Sequence, residues 1–373
     1  MSKMRIGIDC RLSGNAHAGI GRYIENLITR LPLLSPDITW VFFFHDQKQV
    51  PQFDQSVDHT ASNIEIRFAP VRHYSLAEQF TLLRYFNDAQ LDLLHVPHFN
   101  VPLLYQGKLA ITIHDLLWHE YKGSQVTTLH PVVYWLKYVA YRFVASRAIN
   151  KAKLIYVPTE TVKATLAKYY PAAKSKIVVT QEGVSGEFKT SSSQTKTTHR
   201  SSHKDLVYVG SLYPHKNITL VLQALTQLPD WHLHLVGSRN VFQQKVKAEV
   251  KKLGVAGQVT FQGYLSDQEL TALLHASTAL VQPSLSEGFG LTGVEAMAAG
   301  IPVVASDIPV FREVYQEGAL FFDPRNVDSL VATLNHLNQE TINTLVTRGR
   351  KVSAGYSWDA MAQKTLAGYR QLL

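Results

Sequence analysis

The chain has 373 residues, 46% of them hydrophobic and 18% charged, which is typical of an ordinary soluble protein with substantial cores. This length excludes a typical single core and predicts two domains. Cys10 is the only cysteine, which excludes a disulfide framework and a cysteine-based metal site and favours a reducing cytoplasm. We expect no signal peptide, because residues 1–9 read as the start of a strand, and no membrane span, because no apolar run is long enough.

The first half of the chain alternates apolar strands with helices. Strands are predicted at residues 4–11, 40–44, 64–68, 91–96 and 109–114, and helices from about Gly21 and over residues 75–89. This alternation predicts a doubly wound parallel sheet, in which ligands bind at the carboxyl ends of the strands. His114 and Asp115 lie at one such end, and His98 and Asn100 follow another.

Gly19 and Gly21 follow the first predicted strand and allow a ligand to approach the backbone closely. A dinucleotide fingerprint would need a third glycine where Ile24 stands, so the match to that pattern is weak. An NAD-dependent dehydrogenase, with Asp46 on the ribose, is an alternative that the missing glycine disfavours.

Residues 122–176 carry ten basic side chains and a single acidic one, Glu160, in a chain whose formal net charge is +8. Such a basic region favours an anionic partner surface, a membrane leaflet or a nucleic acid, and a solvated face without a partner is the alternative. A long helix is predicted over residues 126–150, where aromatic and basic side chains mix. An interfacial helix and a core helix with snorkelling bases explain it equally well.

Residues 185–204 are rich in Ser, Thr and basic residues and nearly free of aliphatic ones, which predicts a linker or exposed loop. The predicted domains are therefore residues 1–184 and residues 205–356. Strands and helices alternate again in the second domain, so we expect two Rossmann-like α/β halves that face each other across a cleft.

The stretch 278–306 reads as a strand, a Ser/Gly loop, a helix from about Leu291 to Ala299, and a second strand. The loop would aim backbone N–H groups and the positive end of the helix at one point, which makes a site for a phosphate or another anion. Glu287 in the loop and Glu295 in the helix suit sugar hydroxyls, which donate hydrogen bonds to carboxylates. Together these features indicate a nucleotide sugar as the ligand.

The pair Glu287-x7-Glu295, in the setting S-E-G-F-G-L-x-x-x-E-A-M-A-x-G-x-P-V-V-A-S, closely resembles the signature of retaining glycosyltransferases of the GT-B fold, family 4. Two more segments, V-G-S-L-x-P-x-K-N and T-I-H-D-L, resemble the family's phosphate-binding turn and the segment that carries its active-site histidine. The resemblance implies the GT-B fold, with the C-terminal helix, residues 357–373, crossing back to complete the first domain.

The resemblance also implies roles in donor binding. Glu295 would bind the nucleotide ribose, and Glu287 would bind hydroxyls of the donor sugar. Lys216 would neutralise the diphosphate as a point charge. Many family members carry an arginine in this turn, where this chain has Ser211 and His215, so His215 is expected to help when protonated. Further donor contacts are implied for five positions: Gly19, Gly21, Phe289, Gly290 and Leu291.

His114 matches the family's active-site histidine and would position the donor sugar near its anomeric carbon. His98, Asn100 and Asp115 are candidates for the acceptor side, and Tyr264 and Leu265 are candidates for contact with the base. The chain contains no D-x-D triplet, so we expect neither a metal nor any other cofactor, with positive side chains and a helix end taking the place of a metal. Retention of configuration is expected by same-face attack.

The layout is most similar to bacterial mannosyltransferases of polysaccharide assembly, which implies GDP-mannose as donor and a lipid-linked saccharide as acceptor. Residues 122–176 would then dock on the inner face of an anionic membrane from the cytoplasm, and no nucleic-acid partner is expected. Three alternatives stay open: a UDP-sugar donor, a nucleotide-sugar 2-epimerase of the same fold, and a non-enzymatic nucleotide-sugar sensor.

Overall fold

A computed structural model describes residues 3–14, 18–50, 63–123, 127, 129–184, 204–237 and 241–373. The linker predicted over residues 185–204 lies outside the described residues except for Lys204, at which a strand begins. The chain divides into two compact units. One comprises residues 1–116, 135–183 and 357–373, and the other comprises residues 117–134 and 184–356.

The described residues up to Val184 contain seven strands and the helices between them. The strands are β1 (Arg5–Asp9), β2 (Thr39–Phe44), β3 (Ile64–Phe68), β4 (Leu93–Val96), β5 (Leu109–Thr112), β6 (Leu154–Val157) and β7 (Ile177–Val179). The helices are α1 (Ala18–Leu34), α2 (Leu83–Asp88), α3 (Leu117–Glu120), α4 (Pro131–Lys151) and α5 (Glu160–Tyr169). Pro131 begins α4 because proline lacks the N–H that the first helical turn leaves unpaired.

Six strands lie in the part of the chain that the structure describes from Lys204 onward. They are β8 (Lys204–Val209), β9 (Trp231–Val236), β10 (Val259–Gly263), β11 (Ala279–Gln282), β12 (Val303–Ser306) and β13 (Ala319–Phe322). The helices are α6 (Ile218–Leu225), α7 (Gln243–Leu253), α8 (Asp267–Ala276), α9 (Leu291–Ala298), α10 (Pro309–Tyr315), α11 (Val327–Asn335), α12 (Gln339–Ser353) and α13 (Trp358–Leu372).

Both sheets are parallel, as the alternation of strands and helices predicts. The first has the strand order β3-β2-β1-β4-β5-β6-β7 and the second the order β10-β9-β8-β11-β12-β13. Helices cover the sheets, so strand residues such as Phe42 and Phe43 are buried whichever face they occupy, and the strands read as continuous apolar runs. These two doubly wound sheets confirm the predicted fold class. Their strand order reverses between β1 and β4 and between β8 and β11, where ligands bind such sheets.

The C-terminal helix α13 belongs to the first unit and packs on α1. Tyr156 on β6 donates a hydrogen bond of 2.6 Å from its hydroxyl to the carbonyl of Thr365, and Arg30 on α1 pairs with Asp359 at 2.6 Å. At Gly183 a Cβ would collide with the backbone nitrogen of Trp358, so the close approach of these two segments requires glycine there.

Several elements differ from their predicted bounds by a few residues: α1 begins at Ala18, and the helix predicted over residues 126–150 begins at Pro131. Two further differences concern the surroundings of candidate site residues. β5 ends at Thr112, so His114 lies in the loop beyond the strand. The helix predicted over residues 75–89 contains a π-helical turn, Glu78–Leu82, before α2. Glu78 is buried and accepts hydrogen bonds from the backbone of Tyr74 at 2.6 Å and the guanidinium of Arg11 at 3.1 Å. Arg11 is 67 positions distant, so the periodicity of the local sequence could not reveal this anchor.

Candidate active-site residues

The second unit brings two loops together at its switch point. One follows β8 and carries the 3-10 turn Pro214–Lys216, and the other follows β11 and leads into α9. The backbone nitrogen of Leu285 donates to the carbonyl of His215 at 2.8 Å, which fixes the second loop against the first. The sequence predicted Lys216 and Glu287 separately, and the structure places them in contact.

Lys216 and Glu287 form an ion pair, with 2.7 Å between Nζ and Oε1. The same oxygen accepts a hydrogen bond of 2.7 Å from the Ser284 hydroxyl. Burial by itself would raise the pKa of Glu287, but the ammonium of Lys216 and the hydrogen bonds from Lys216 and Ser284 hold it below its ordinary value. The site therefore presents an ionised carboxylate beside a cation.

The loop leaves β11 and enters α9 through a left-handed residue, Gly290, with φ of 91°. The Tyr315 hydroxyl on α10 donates to the carbonyl of Gly290 at 2.7 Å, and a Cβ on Gly290 would collide with this hydroxyl. Phe289 is buried and packs edge-on against Tyr356, with ring centroids 5.2 Å apart. These contacts hold the loop at the start of α9, where free backbone N–H groups attract an anion.

Glu295 and His215 are both buried in the second unit. Glu295 lies in α9 and Leu291 begins that helix. Burial, with a contribution from Lys216, lowers the pKa of His215 to about 4. His215 is therefore neutral near neutral pH and does not supply the second positive charge that the sequence suggested. Its Nδ1 is buried and has no hydrogen-bond partner among the described residues.

Ser211 and the two candidates for base contact lie elsewhere on the same edge of the second sheet. Ser211 follows β8, and its carbonyl accepts a hydrogen bond of 2.6 Å from the Tyr208 hydroxyl. Tyr264 is exposed and Leu265 is half-buried, and both follow the edge strand β10, which β9 separates from β8. Tyr264 and Leu265 thus follow a strand that is adjacent to neither β8 nor β11.

In the first unit, His114 is surrounded by three groups. Its Nε2 lies 3.2 Å from the carbonyl oxygen of Pro97, and its Nδ1 lies 3.6 Å from Oε1 of Glu182. The ring of Tyr23 on α1 meets the imidazole edge-on, with centroids 4.9 Å apart. Pro97 follows β4 and Glu182 follows β7, so three strand ends of this sheet converge on the ring.

The glycines predicted to border a phosphate lie in the first turn of α1. A Cβ on Gly21 would collide with the carbonyl oxygen of Gly14, so glycine is required there by a close approach of two backbones. Gly19 has no such neighbour, since a Cβ there would meet nothing within 4 Å.

The residues predicted for the acceptor side have three different environments. Asn100 is buried and donates a hydrogen bond to the carboxylate of Glu78. His98 packs on Phe99 with ring centroids 3.9 Å apart, and burial lowers its pKa to about 3, so it is neutral. Asp115 is exposed. Asn100 therefore stabilises the π-helical turn, while His98 presents a neutral ring.

The sequence alone did not predict five residues that make the contacts described above or lie near them: Glu182, Ser284, Tyr315, Asp9 and Arg11. Glu182 is a carboxylate just beyond a strand, which the rule that selected His114 could have found. Tyr315 carries no local signal, because its partner Gly290 lies 25 positions away. Ser284 is three positions from Glu287, and the buried pair Asp9–Arg11, joined at 2.8 Å, is two positions apart, but such short spacings are common and indicate no particular contact.

Within the described residues, no group of three or more His, Cys, Asp or Glu side chains could hold a metal ion. None of the helices in the described part of the chain is both long and apolar enough to span a membrane.

Comparison with known families and proteins agrees with this geometry. Residues 190–351 match the family "Glycosyl transferases group 1", and residues 17–188 match "Glycosyltransferase Family 4". The O-antigen chain mannosyltransferase RfbU of Salmonella typhimurium is 31% identical over 71% of this chain and 70% of its own length. The O-antigen chain mannosyltransferase B of Escherichia coli is 27% identical over 95% of this chain and 96% of its own length.

Among solved structures, HepE of Anabaena in complex with UDP and glucose superposes with a TM-score of 0.74, at 18% identity, over 99% of this chain and all of that one. The sucrose-phosphate synthase of Thermosynechococcus elongatus superposes with a TM-score of 0.72, at 19% identity, over 99% of both chains. At these identities the likeness establishes the fold alone, which is the GT-B arrangement of two Rossmann-like domains.

Proposed function

Because this chain belongs to the glycosyltransferase group 1 family, we propose that it transfers mannose from GDP-mannose to a lipid-linked saccharide in cell-surface polysaccharide synthesis. The O-antigen mannosyltransferases that resemble it over most of their length support this donor and this pathway class. A UDP-sugar donor is the alternative within the same enzyme class.

The observation that carries the proposal is the ion pair between Lys216 and Glu287 at the start of α9. Lys216 and the N–H groups of residues 289–291 bind the diphosphate and stabilise the charge that develops on it as it leaves. Glu287 accepts hydrogen bonds from hydroxyls of the donor sugar. Glu295 binds the ribose, and Gly19 and Gly21 lie against the donor phosphate.

In this proposal the positive charge at the diphosphate comes from the protein. Lys216 and the N-terminal end of α9 take the role that a divalent ion has in other transferases. Addition of a chelator should therefore leave the rate unchanged, and a rate that requires Mg²⁺ or Mn²⁺ would contradict this part of the proposal.

His114 positions the donor sugar near its anomeric carbon, and the acceptor attacks from the face that the nucleotide leaves. The product then retains the configuration of the donor, which NMR of the product linkage would establish. His98, Asn100 and Asp115 are proposed for the acceptor side, and Tyr264 and Leu265 for the base.

A thermal-shift panel with GDP, UDP, ADP, their sugar conjugates and NAD tests the donor. A ligand at one hundred times its Kd should stabilise the protein by about 2.7 kcal/mol, which is enough to rank the bases. Stabilisation by GDP and GDP-mannose supports the proposal, and a response to UDP alone overturns the mannose donor. A response to NAD alone overturns the assignment of a nucleotide-sugar site.

Replacement of His114 by Ala separates an enzyme from a sensor. We expect nucleotide binding to persist while turnover falls about 100-fold, because a misplaced reacting group costs a factor of this size. Normal turnover in His114→Ala would remove His114 from the mechanism. Nucleotide binding without transfer or epimerisation in the wild-type protein, with every candidate acceptor, would favour the sensor.

We also propose that the exposed face of α4 contacts an anionic membrane. The side chains of Val132, Trp135, Leu136, Val139 and Phe143 recur at helical spacing, and all five are exposed. Helix α4 contains basic residues and no acidic one. A face that is apolar with basic neighbours fits the interface of an anionic bilayer, where apolar side chains insert and bases pair with lipid headgroups. The exposure of this face favours the interfacial helix over the core helix.

A further inference from the structure

The two ring nitrogens of His114 both face oxygen atoms that accept hydrogen bonds. The carbonyl oxygen of Pro97 lies 3.2 Å from Nε2, and the carboxylate of Glu182 lies 3.6 Å from Nδ1. A carbonyl oxygen cannot donate, and an ionised carboxylate cannot donate either. In a neutral imidazole one ring nitrogen carries no proton. The lone pair of that nitrogen would then face an oxygen that can only accept, and the two would repel each other. With a proton on each nitrogen, Nε2 donates to the carbonyl of Pro97 and Nδ1 lies at ion-pair distance from the carboxylate of Glu182.

Glu182 is well placed to influence this ring. It is buried in the first unit just beyond β7, and the side chains of His114 and Glu182 are both largely shielded from solvent, with 13% and 8% of their surfaces exposed. Screening by water is weak for such a pair, so the carboxylate favours a positive charge on the imidazole more strongly than it would at the surface.

The two histidines and the tyrosine near His114 are neutral near neutral pH. His95 on β4 and His98 beyond it are buried, and burial with the nearby charge of His114 lowers the pKa of each to about 3. Burial raises the pKa of Tyr23 on α1, so its phenol stays protonated. Asp115, the next residue in the chain, is exposed to water. Among the described residues, Glu182 is thus the buried carboxyl group placed against the ring.

We propose that Glu182 is a positioning residue that orients His114 and keeps its imidazole doubly protonated and positively charged. The inference rests on the proposed role of His114 in holding the donor sugar. A charged ring makes a stronger hydrogen bond to a sugar hydroxyl than a neutral ring does. The positive charge of the ring also stabilises the negative charge that develops on the diphosphate as the bond between the sugar and the diphosphate breaks.

The test compares wild type, Glu182→Gln and Glu182→Asp in the full-length protein by two independent measurements. NMR of ring-labelled histidine follows the protonation of His114 with pH, and the His114→Gln variant identifies its signal. The second measurement is kcat and KM for the donor as a function of pH. Glu160→Gln on α5, which removes an exposed carboxylate of the same unit, is the matched control.

In Glu182→Gln we expect less of the doubly protonated form of His114 at a given pH than in wild type, because the carboxylate that faces Nδ1 is gone. The alkaline limb of kcat should move to lower pH, with KM for the donor changed less than kcat. Glu182→Asp keeps the charge and should recover most of the wild-type pH profile. Glu160→Gln should behave as wild type.

An unchanged His114 titration in Glu182→Gln would overturn the inference. If Glu182→Gln fails to fold, Glu182→Ala decides, because it also removes the charge, and an activity loss there without any shift in the pH profile indicates a structural role alone. A different result would contradict the proposed role of His114 in the reaction. A shifted titration combined with full turnover in His114→Gln would leave the charge coupling intact and remove His114 from the reaction.

Discussion

Lys216 Nζ lies 2.7 Å from Glu287 Oε1 although 71 positions separate the two residues in the chain. The contact exists because β8 and β11 are neighbours in the second sheet, so the loops that follow them leave from adjacent strand ends. The pair is both a stabilising contact and the proposed centre of donor binding, and these two consequences can be measured separately.

Replacement of Lys216 by Met should destabilise the protein at neutral pH by about 1–3 kcal/mol, because it leaves a largely buried carboxylate without its cation. Since the folded-state pKa of Glu287 lies below its ordinary value, the contribution of Lys216 is complete above that ordinary value and is lost as the pH falls through the lowered one. Urea unfolding of both proteins from neutral pH to about pH 4 would show the difference shrinking.

Lys163→Met is the control for this experiment, because Lys163 pairs with Glu160 at the surface of α5, where 66% of the Glu160 side chain is exposed. Such a pair contributes little, so this variant should unfold like wild type at every pH. A Lys216→Met protein with full stability and unchanged donor affinity would contradict both roles of the pair.

Tyr315→Phe should weaken donor binding without abolishing it. The variant loses the hydrogen bond from the Tyr315 hydroxyl to the Gly290 carbonyl, which holds the loop at the start of α9. We expect a stability loss of about 1 kcal/mol and a several-fold rise in KM for the donor, measured by urea unfolding and initial rates.

Tyr156→Phe is the matched control for Tyr315→Phe. It also removes a buried hydrogen bond from a tyrosine hydroxyl to a carbonyl, here that of Thr365 in the first unit. It should lose similar stability and leave donor KM unchanged. Equal donor KM values in the two variants would show that Tyr315 acts on stability alone.

Leu136→Glu should reduce binding to lipid vesicles that contain about 30% anionic lipid, because it places a charge on the exposed apolar face of α4. Leu33→Glu on α1 is the control, since 71% of Leu33 and 69% of Leu136 are exposed. Vesicle co-sedimentation should separate the two variants, with Leu33→Glu retained on the vesicles like wild type.

Vesicles of neutral lipid alone should bind the wild-type protein weakly, because the bases of α4 then lack anionic headgroups. Equal binding of wild type and Leu136→Glu would exclude α4 as the membrane contact. A wild-type dimer in light scattering that Leu136→Glu converts to a monomer would assign the face to a second copy of the chain instead.

Gly183→Ala should destabilise the first unit by about 1–3 kcal/mol, since the added methyl group collides with the backbone of Trp358 at the start of α13. Gly257→Ala is the control, because a Cβ there meets nothing within 4 Å. The midpoint of thermal unfolding should be lower for Gly183→Ala than for Gly257→Ala. Equal midpoints would mean that the segment around Gly183 can move away from α13 without a loss of stability.

The sequence predicted the strands and helices well where burial leaves a strong pattern. β3 has the predicted bounds and β2 begins at Thr39 instead of the predicted Trp40, because the apolar run of a buried strand such as β2 marks its length in the sequence. The π-helical turn at Glu78 was missed, because its anchor Arg11 belongs to another part of the chain.

The sequence by itself determined that the protein has two doubly wound parallel sheets and that Glu287, Glu295, Lys216 and His114 are its candidate site residues. Strand ends and glycine loops lie in consecutive residues, and the resemblance of these segments to glycosyltransferase family 4 singled out the four side chains. Only the tertiary structure decided that Glu287 pairs with Lys216, that Glu182 faces His114, that His215 is neutral, and that α4 exposes its apolar face. Distances, burial and charge states depend on which strands become neighbours, and that depends on contacts between residues far apart in the chain.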